Sequence, residues 1–103
     1  MKLIEDCFGR KVRLTDERLA HILGHPEMRG MEAAIQRVLR EPAVVRRSRS
    51  DHTVRLFYEF YRETVVGGKW LCLVARYNEE DAFVVTAYLT DRPKQGEDLW
   101  PAK

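Results

Sequence analysis

An α+β fold, with a short N-terminal strand and two helices followed by a four-stranded antiparallel sheet, is what the sequence predicts. Three observations carry that prediction. Apolar residues recur at helical spacing as far as Leu39, the period changes to two from Ala43 onward, and the links between the later segments are short. With 103 residues the chain is long enough for one core and too short for two. It reads as a single domain, 1–103, with 91–103 an irregular C-terminal tail.

Gly9 to Leu14 alternates apolar and basic residues, which marks a short first strand. Thr15 follows as a helix cap, with Asp16 and Glu17 in the first turn, where carboxylates offset the positive end of the helix dipole. Leu19, Ile22 and Leu23 form the apolar stripe of a helix from Asp16 to about Leu23. Gly24-His25-Pro26 interrupts it, because glycine terminates helices and proline starts new ones. In the second helix Met31, Ala34, Ile35, Val38 and Leu39 recur at i, i+3, i+4, i+7 and i+8, and the pattern stops before Pro42.

Ala43 to Ser48, Val54 to Arg62, Lys69 to Tyr77 and Phe83 to Thr90 are rich in β-branched and aromatic residues and read as four strands. Gly67-Gly68 and the polar run Asn78 to Asp81 have hairpin chemistry and length, so neighbours are predicted to be antiparallel. The tail contains Pro93, Gly96 and Pro101, with Leu99 and Trp100 as its anchors.

Composition excludes several classes. Hydrophobic residues at 45% and charged residues at 33% are the balance of a globular protein. No apolar run is long enough to span a bilayer, and Met1 to Phe8 lacks the apolar segment of a signal peptide, which predicts a cytoplasmic protein without a membrane partner. Cys7 and Cys72 lack metal-type spacing and read as reduced structural thiols. No glycine-rich phosphate loop, metal knuckle or serine nucleophile signature occurs, so no cofactor or metal is expected.

The net charge is only +2, yet Arg46, Arg47, Arg49 and Arg55 fall within ten residues against the single acid Asp51. Such a stretch suits an anionic partner such as RNA, and equally suits a solvated strand edge. Alternation in the last strand puts Phe83, Val85, Ala87 and Leu89 on a core face, and Val84, Thr86, Tyr88 and Thr90 on a wet face. Arg55 offers paired planar donors that match a phosphate, and Arg76 is an unusual charge within an otherwise apolar strand. His21 and His25 lie four apart and could serve as general base and acid; helix capping, core packing and metal binding are the competing roles. His52 sits in a polar turn.

Taken together, Thr15-Asp16-Glu17-Arg18 with His21-Ile22-Leu23 and His25-Pro26-Glu27-Met28, then Arg55-Leu56-Phe57-Tyr58, then Phe83 to Thr90, resemble small phage and bacterial nuclease-fold domains. Those domains are grouped with barnase, EndoU, colicin-type tRNases and RelE toxins. The ending Lys94-x-Gly96-Glu97-x-Leu99-Trp100 is similar as well. The resemblance implies a RelE/barnase-like arrangement and a site built from His21, His25, Arg55, Arg76, Thr86 and Tyr88.

The activity so implied is metal-independent, toxin-like endoribonuclease cleavage, in which the ribose 2′-hydroxyl attacks the adjoining phosphate and leaves a cyclic phosphate. His21 would be the base, His25 or Tyr88 the acid, Arg55 and Arg76 the charge stabilisers, and Thr86 a phosphate-orienting hydroxyl. Arg46, Arg47 and Arg49 would attract the RNA, and Tyr58 or Tyr61 would stack a base. The same resemblance implies an antitoxin or immunity protein as a further partner. The alternatives are a non-catalytic module of the same fold that grips RNA or protein, and an interaction protein that uses Trp100 in a dimer contact.

Overall fold

The computed structural model describes residues 1–101. Its sheet has seven strands and mixed direction: β1 (Lys2–Glu5), β2 (Lys11–Leu14), β3 (Val44–Arg47), β4 (Val54–Thr64), β5 (Gly67–Tyr77), β6 (Ala82–Thr90) and β7 (Glu97–Trp100). They lie in the order β1-β2-β6-β5-β4-β3-β7. This corrects the four-stranded antiparallel sheet expected from the sequence. The four expected strands form the antiparallel middle; β1 and β2 extend one side and β7 the other, and the pairing of β2 with β6 is parallel. The tail read as irregular thus contains a strand; its last positions, 102 and 103, lie outside the described residues.

The helical half follows its local chemistry. In α1 (Asp16–Leu23) the Thr15 hydroxyl accepts a hydrogen bond from the Arg18 amide at 3.1 Å, satisfying one free donor of the first turn. Gly24 ends the helix, and Pro26–Met28 forms a 3₁₀ turn. The second helix, α2 (Glu32–Arg40), buries Ile35, Val38 and Leu39.

Both helices pack on one face of the sheet. Leu19 and Ile22 of α1 and the buried stripe of α2 meet Val12, Leu14, Val45, Phe57, Leu71, Leu73 and Ala75 in a single core. Complete burial of each large side chain contributes about 1.5–3 kcal/mol. Among the described residues no helix lies on the opposite face. There Leu56, Tyr58 and Cys72 form a second, thinner cluster with Val54, Trp70, Val74 and Tyr88 around it.

In β6 the register slips between its pairings Ala75↔Val84 and Val74↔Thr86, so Val85 is bulged out of the ladder. The bulge reverses the expected alternation on one side: Val84 joins Ala82 and Ala87 in the core, whereas Thr86 and Tyr88 stay on the open face. The β4–β5 hairpin turns through Val65 and Val66, with Gly67 at φ 88°, a left-handed conformation that favours glycine.

The parallel junction is short, with Arg13 opposite Phe83 its one pairing. Side chains reinforce it. Arg13 forks onto Asp81 at 3.0 and 2.7 Å, and Arg10 donates to the Glu79 carbonyl at 3.1 Å. Asp6, 5% exposed, is the one buried charge among the described residues. It accepts from the Phe8 and Arg10 amides at 2.9 and 2.8 Å and from the Tyr77 hydroxyl at 2.5 Å, tying the β1–β2 loop to the end of β5.

Replacing Asp6 removes one acceptor and leaves three donors without it, two of them main-chain. Asp6→Ala is expected to cost about 2–4 kcal/mol and Tyr77→Phe about 1 kcal/mol. Urea unfolding of the two variants measures this; equal losses would show that the carboxylate does not organise the loop.

Candidate functional site

Cross-strand register assigns each strand-borne candidate to one face of the sheet. Arg55 lies opposite Ala75, on the covered face. Its guanidinium stacks 4.2 Å from the Tyr77 ring centroid and 4.9 Å from that of Phe8. Cys7 is close by; burial, with the Asp6 charge second, pushes its thiol up to about 12, so it stays protonated and inert.

Thr86 lies opposite Val74 and Tyr88 opposite Cys72, both on the open face, as are Arg46 opposite Leu56 and Arg76 opposite Val54. The sheet therefore separates Arg55 from Thr86 and Tyr88. Strict alternation from Phe57 turns Arg55 toward the core side, and pairing with Val74 and Cys72 holds Thr86 and Tyr88 on the other.

The histidines occupy a third place. His21 and His25 are exposed at the end of α1, with ring centroids 5.6 Å apart and planes at 89°. His21 lines a cavity of about 280 Å³ with Thr15, Glu17 and Arg18. Neither histidine lines the open-face cavity described next. The expected six-residue constellation is not assembled: His21 with His25, Arg55 with Phe8 and Tyr77, and Arg76, Thr86 and Tyr88 on the open face are three separate groups.

What the open face does assemble is a groove of about 390 Å³. Val54, Leu56, Val74 and Tyr88 supply its floor. The β3–β4 loop, through Ser48, Arg49, Ser50 and Asp51, forms one wall, and Lys94 and Gln95 from the segment after β6 form the other. Neither Lys94 nor Gln95 was foreseen as a site residue, because a side chain in an irregular stretch has no periodicity to assign it a face.

The loop wall is fastened from below. Arg76 Nη1 donates to Asp51 Oδ2 at 2.9 Å and to the Thr53 hydroxyl at 2.8 Å, while that hydroxyl donates to Asp51 Oδ1 at 2.7 Å. Thr53's hydroxyl and amide, and after them the Arg76 guanidinium, hold the Asp51 carboxyl below its ordinary range.

Of the arginines expected to attract RNA, two are engaged elsewhere. Arg46 Nε donates to Asp98 at 2.9 Å and Arg47 to Glu97 at 2.9 Å, both fastening β7 to β3. Among the described residues Arg49 and Lys94 form no ion pair. Tyr58 is wholly buried and Tyr61 packs against the covered core, so neither is placed to stack a base on the open face. Tyr88 is half-buried; burial, with Cys72 beside it, raises its phenol, leaving a neutral hydroxyl that donates and a poor acid for proton transfer. The exposed aromatic of this face is instead Phe60, 44% exposed, with half-buried Trp70 as its edge-to-face neighbour at 5.5 Å.

Among the described residues no helix is long and apolar enough to cross a membrane, and no three His, Cys, Asp or Glu side chains converge as a metal site. No family model, curated protein or solved structure matches the chain.

Because the Asp51 carboxyl is held low in the folded protein, the order it gives the loop is present above the ordinary carboxylate pKa and is lost as pH falls through the lowered one. Thr53→Val removes the largest cause, so the Asp51 midpoint, followed by NMR, is expected to move up toward the ordinary value. An unmoved midpoint would count against the hydroxyl as the cause.

Proposed function

We propose that the protein binds a short single-stranded stretch of RNA across the open sheet face. The observation that carries the reading is the coincidence, on the face opposite the helices, of an apolar-floored groove with two cations that have no acidic partner among the described residues, Arg49 and Lys94. A phosphate set between the walls would meet both. A base would rest on the floor beside Tyr88. The next same-face position along the strands, about 6.8 Å away, carries Trp70 and Thr90, so an aromatic ring is at hand for a neighbouring base.

Affinity on such a face comes from phosphate neutralisation and stacking and carries little sequence preference. Two phosphate contacts to a single strand correspond to a slope of log affinity against log salt of about −1.4.

A second reading, metal-independent endoribonuclease cleavage, draws on the resemblance noted above and on one observation, the two exposed imidazoles 5.6 Å apart beside Arg18. It would place the chemistry at the end of α1 rather than on the sheet. There one imidazole would take the 2′-hydroxyl proton and the other protonate the leaving oxygen.

Fluorescence anisotropy with labelled single-stranded RNA is expected to give that slope, with Arg49→Ala and Lys94→Ala each reducing its magnitude by about 0.7. Binding insensitive to both substitutions would remove the groove from the interface. For the second reading, wild-type protein in EDTA should release cyclic-phosphate ends, and His21→Ala and His25→Ala should each slow this by about 100-fold or more. Intact RNA at every pH would dismiss cleavage and leave the binding proposal untouched.

A further inference from the structure

The Lys94 wall of the groove is main chain gripped by sheet side chains. The Lys94 amide donates to the Tyr58 hydroxyl at 3.0 Å, and the Lys94 carbonyl accepts from Arg46 Nη1 at 2.9 Å. The same guanidinium holds Asp98 through Nε at 2.9 Å. Between the two grips Gly96 passes so near β3 that a Cβ there would lie 2.4 Å from the Arg47 carbonyl oxygen. Both polar groups of one residue in an otherwise irregular segment are therefore fixed, and by strands β3 and β4 rather than by a neighbouring turn.

Tyr58 is suited to this. It is completely buried, its position is set by the β4 ladder between Val44 and Cys72, and burial keeps its phenol neutral. Arg46 is anchored twice and reaches from the adjoining strand. Lys94 itself is exposed and lines the groove beside Tyr88. Below it Cys72 lies in the row between Tyr58 and Tyr88.

We infer that Arg46 and Tyr58 are positioning residues for Lys94, presetting its main chain so that its ammonium stands over the groove, without touching the bound strand themselves. The inference rests on the RNA-binding reading of the same groove and adds to it the device that places one of its two cations. A lysine on a free segment would have to lose backbone freedom on each binding event; here that freedom is already lost in folding.

The test is a double-mutant cycle on RNA binding with wild type, Tyr58→Phe, Lys94→Met and the double variant, each measured by anisotropy between about 50 and 200 mM salt. Tyr58→Phe is expected to weaken binding by about 3- to 10-fold and to lower the salt slope by about 0.7, as Lys94→Met does. The double variant should bind no more weakly than Lys94→Met alone. Arg46→Gln, crossed with Lys94→Met in the same way, gives an independent cycle should Tyr58→Phe fold poorly.

A merely structural Tyr58 or Arg46 would change affinity without changing the salt slope, and its effect would add to that of Lys94→Met; that result overturns the inference while the RNA reading stands. Absence of RNA binding by the wild type overturns both.

Discussion

Two helices of eight and nine residues cannot cover a sheet of seven strands on both faces, and most features of the molecule follow from that shortage. At 1.5 Å per residue α1 and α2 are about 12 and 14 Å long, and side by side they span about 20 Å, against a sheet about 29 Å wide. They therefore build one deep core on one face. The other face closes with what the strands provide, a row of large side chains centred on Tyr58 and Cys72 and flanked by Val54, Trp70 and Val74. A face finished in this way keeps exposed apolar and aromatic surface, of which Phe60 is an example, and it is the face that carries the groove of about 390 Å³.

The helices were legible in the sequence because their signals are local. A capping threonine, acidic first-turn residues and a 3.6-residue stripe specify α1 closely, while for α2 the stripe gives the face and the end but not the start: the second helix expected from Pro26 begins only at Glu32, after a separate 3₁₀ turn. The four inner strands were legible for the same reason, through β-branched and aromatic runs. The two outer strands were not. Lys2–Glu5 and Glu97–Trp100 are each four residues long, and each has a single buried residue or none. Their strand character comes from pairing with β2 and β3, which no local window contains. Short, charged strands of this kind are how a sheet limits edge-to-edge association, and the same properties hide them from pattern reading.

The site was less legible, since it depends on which face each side chain takes. One extra residue at Val85 shifts the alternation of β6, so that a pattern read straight through Phe83 to Leu89 assigns Val84 to the wrong side. Arg55 stands one position from Leu56, yet lies across the sheet from it and from Thr86 and Tyr88. Periodicity names the two sets but leaves open which set the helices cover, and the grouping of Arg55 with the open-face hydroxyls fails on that point. The histidine pair was correctly read as neighbours, because i, i+4 spacing is local; its distance from the groove is a property of topology.

The basic stretch from Arg46 to Arg55 shows why charge counted along a chain is a poor guide to charge on a surface. Its arginines diverge: Arg46 and Arg47 turn to opposite faces and fasten β7 through Asp98 and Glu97, Arg55 stacks on aromatic rings across the sheet, and only Arg49 reaches the groove without an acidic partner among the described residues. The second groove cation, Lys94, comes from the tail, where the sequence shows no comparable excess of positive charge. A local excess of arginine has thus become an edge-fastening system, and the groove takes its positive character from one residue at each of its two walls. The ion pairs doing the fastening are partly exposed, and each is worth little alone. Their effect on the groove comes from geometry, because the strand they dock carries Lys94 with it.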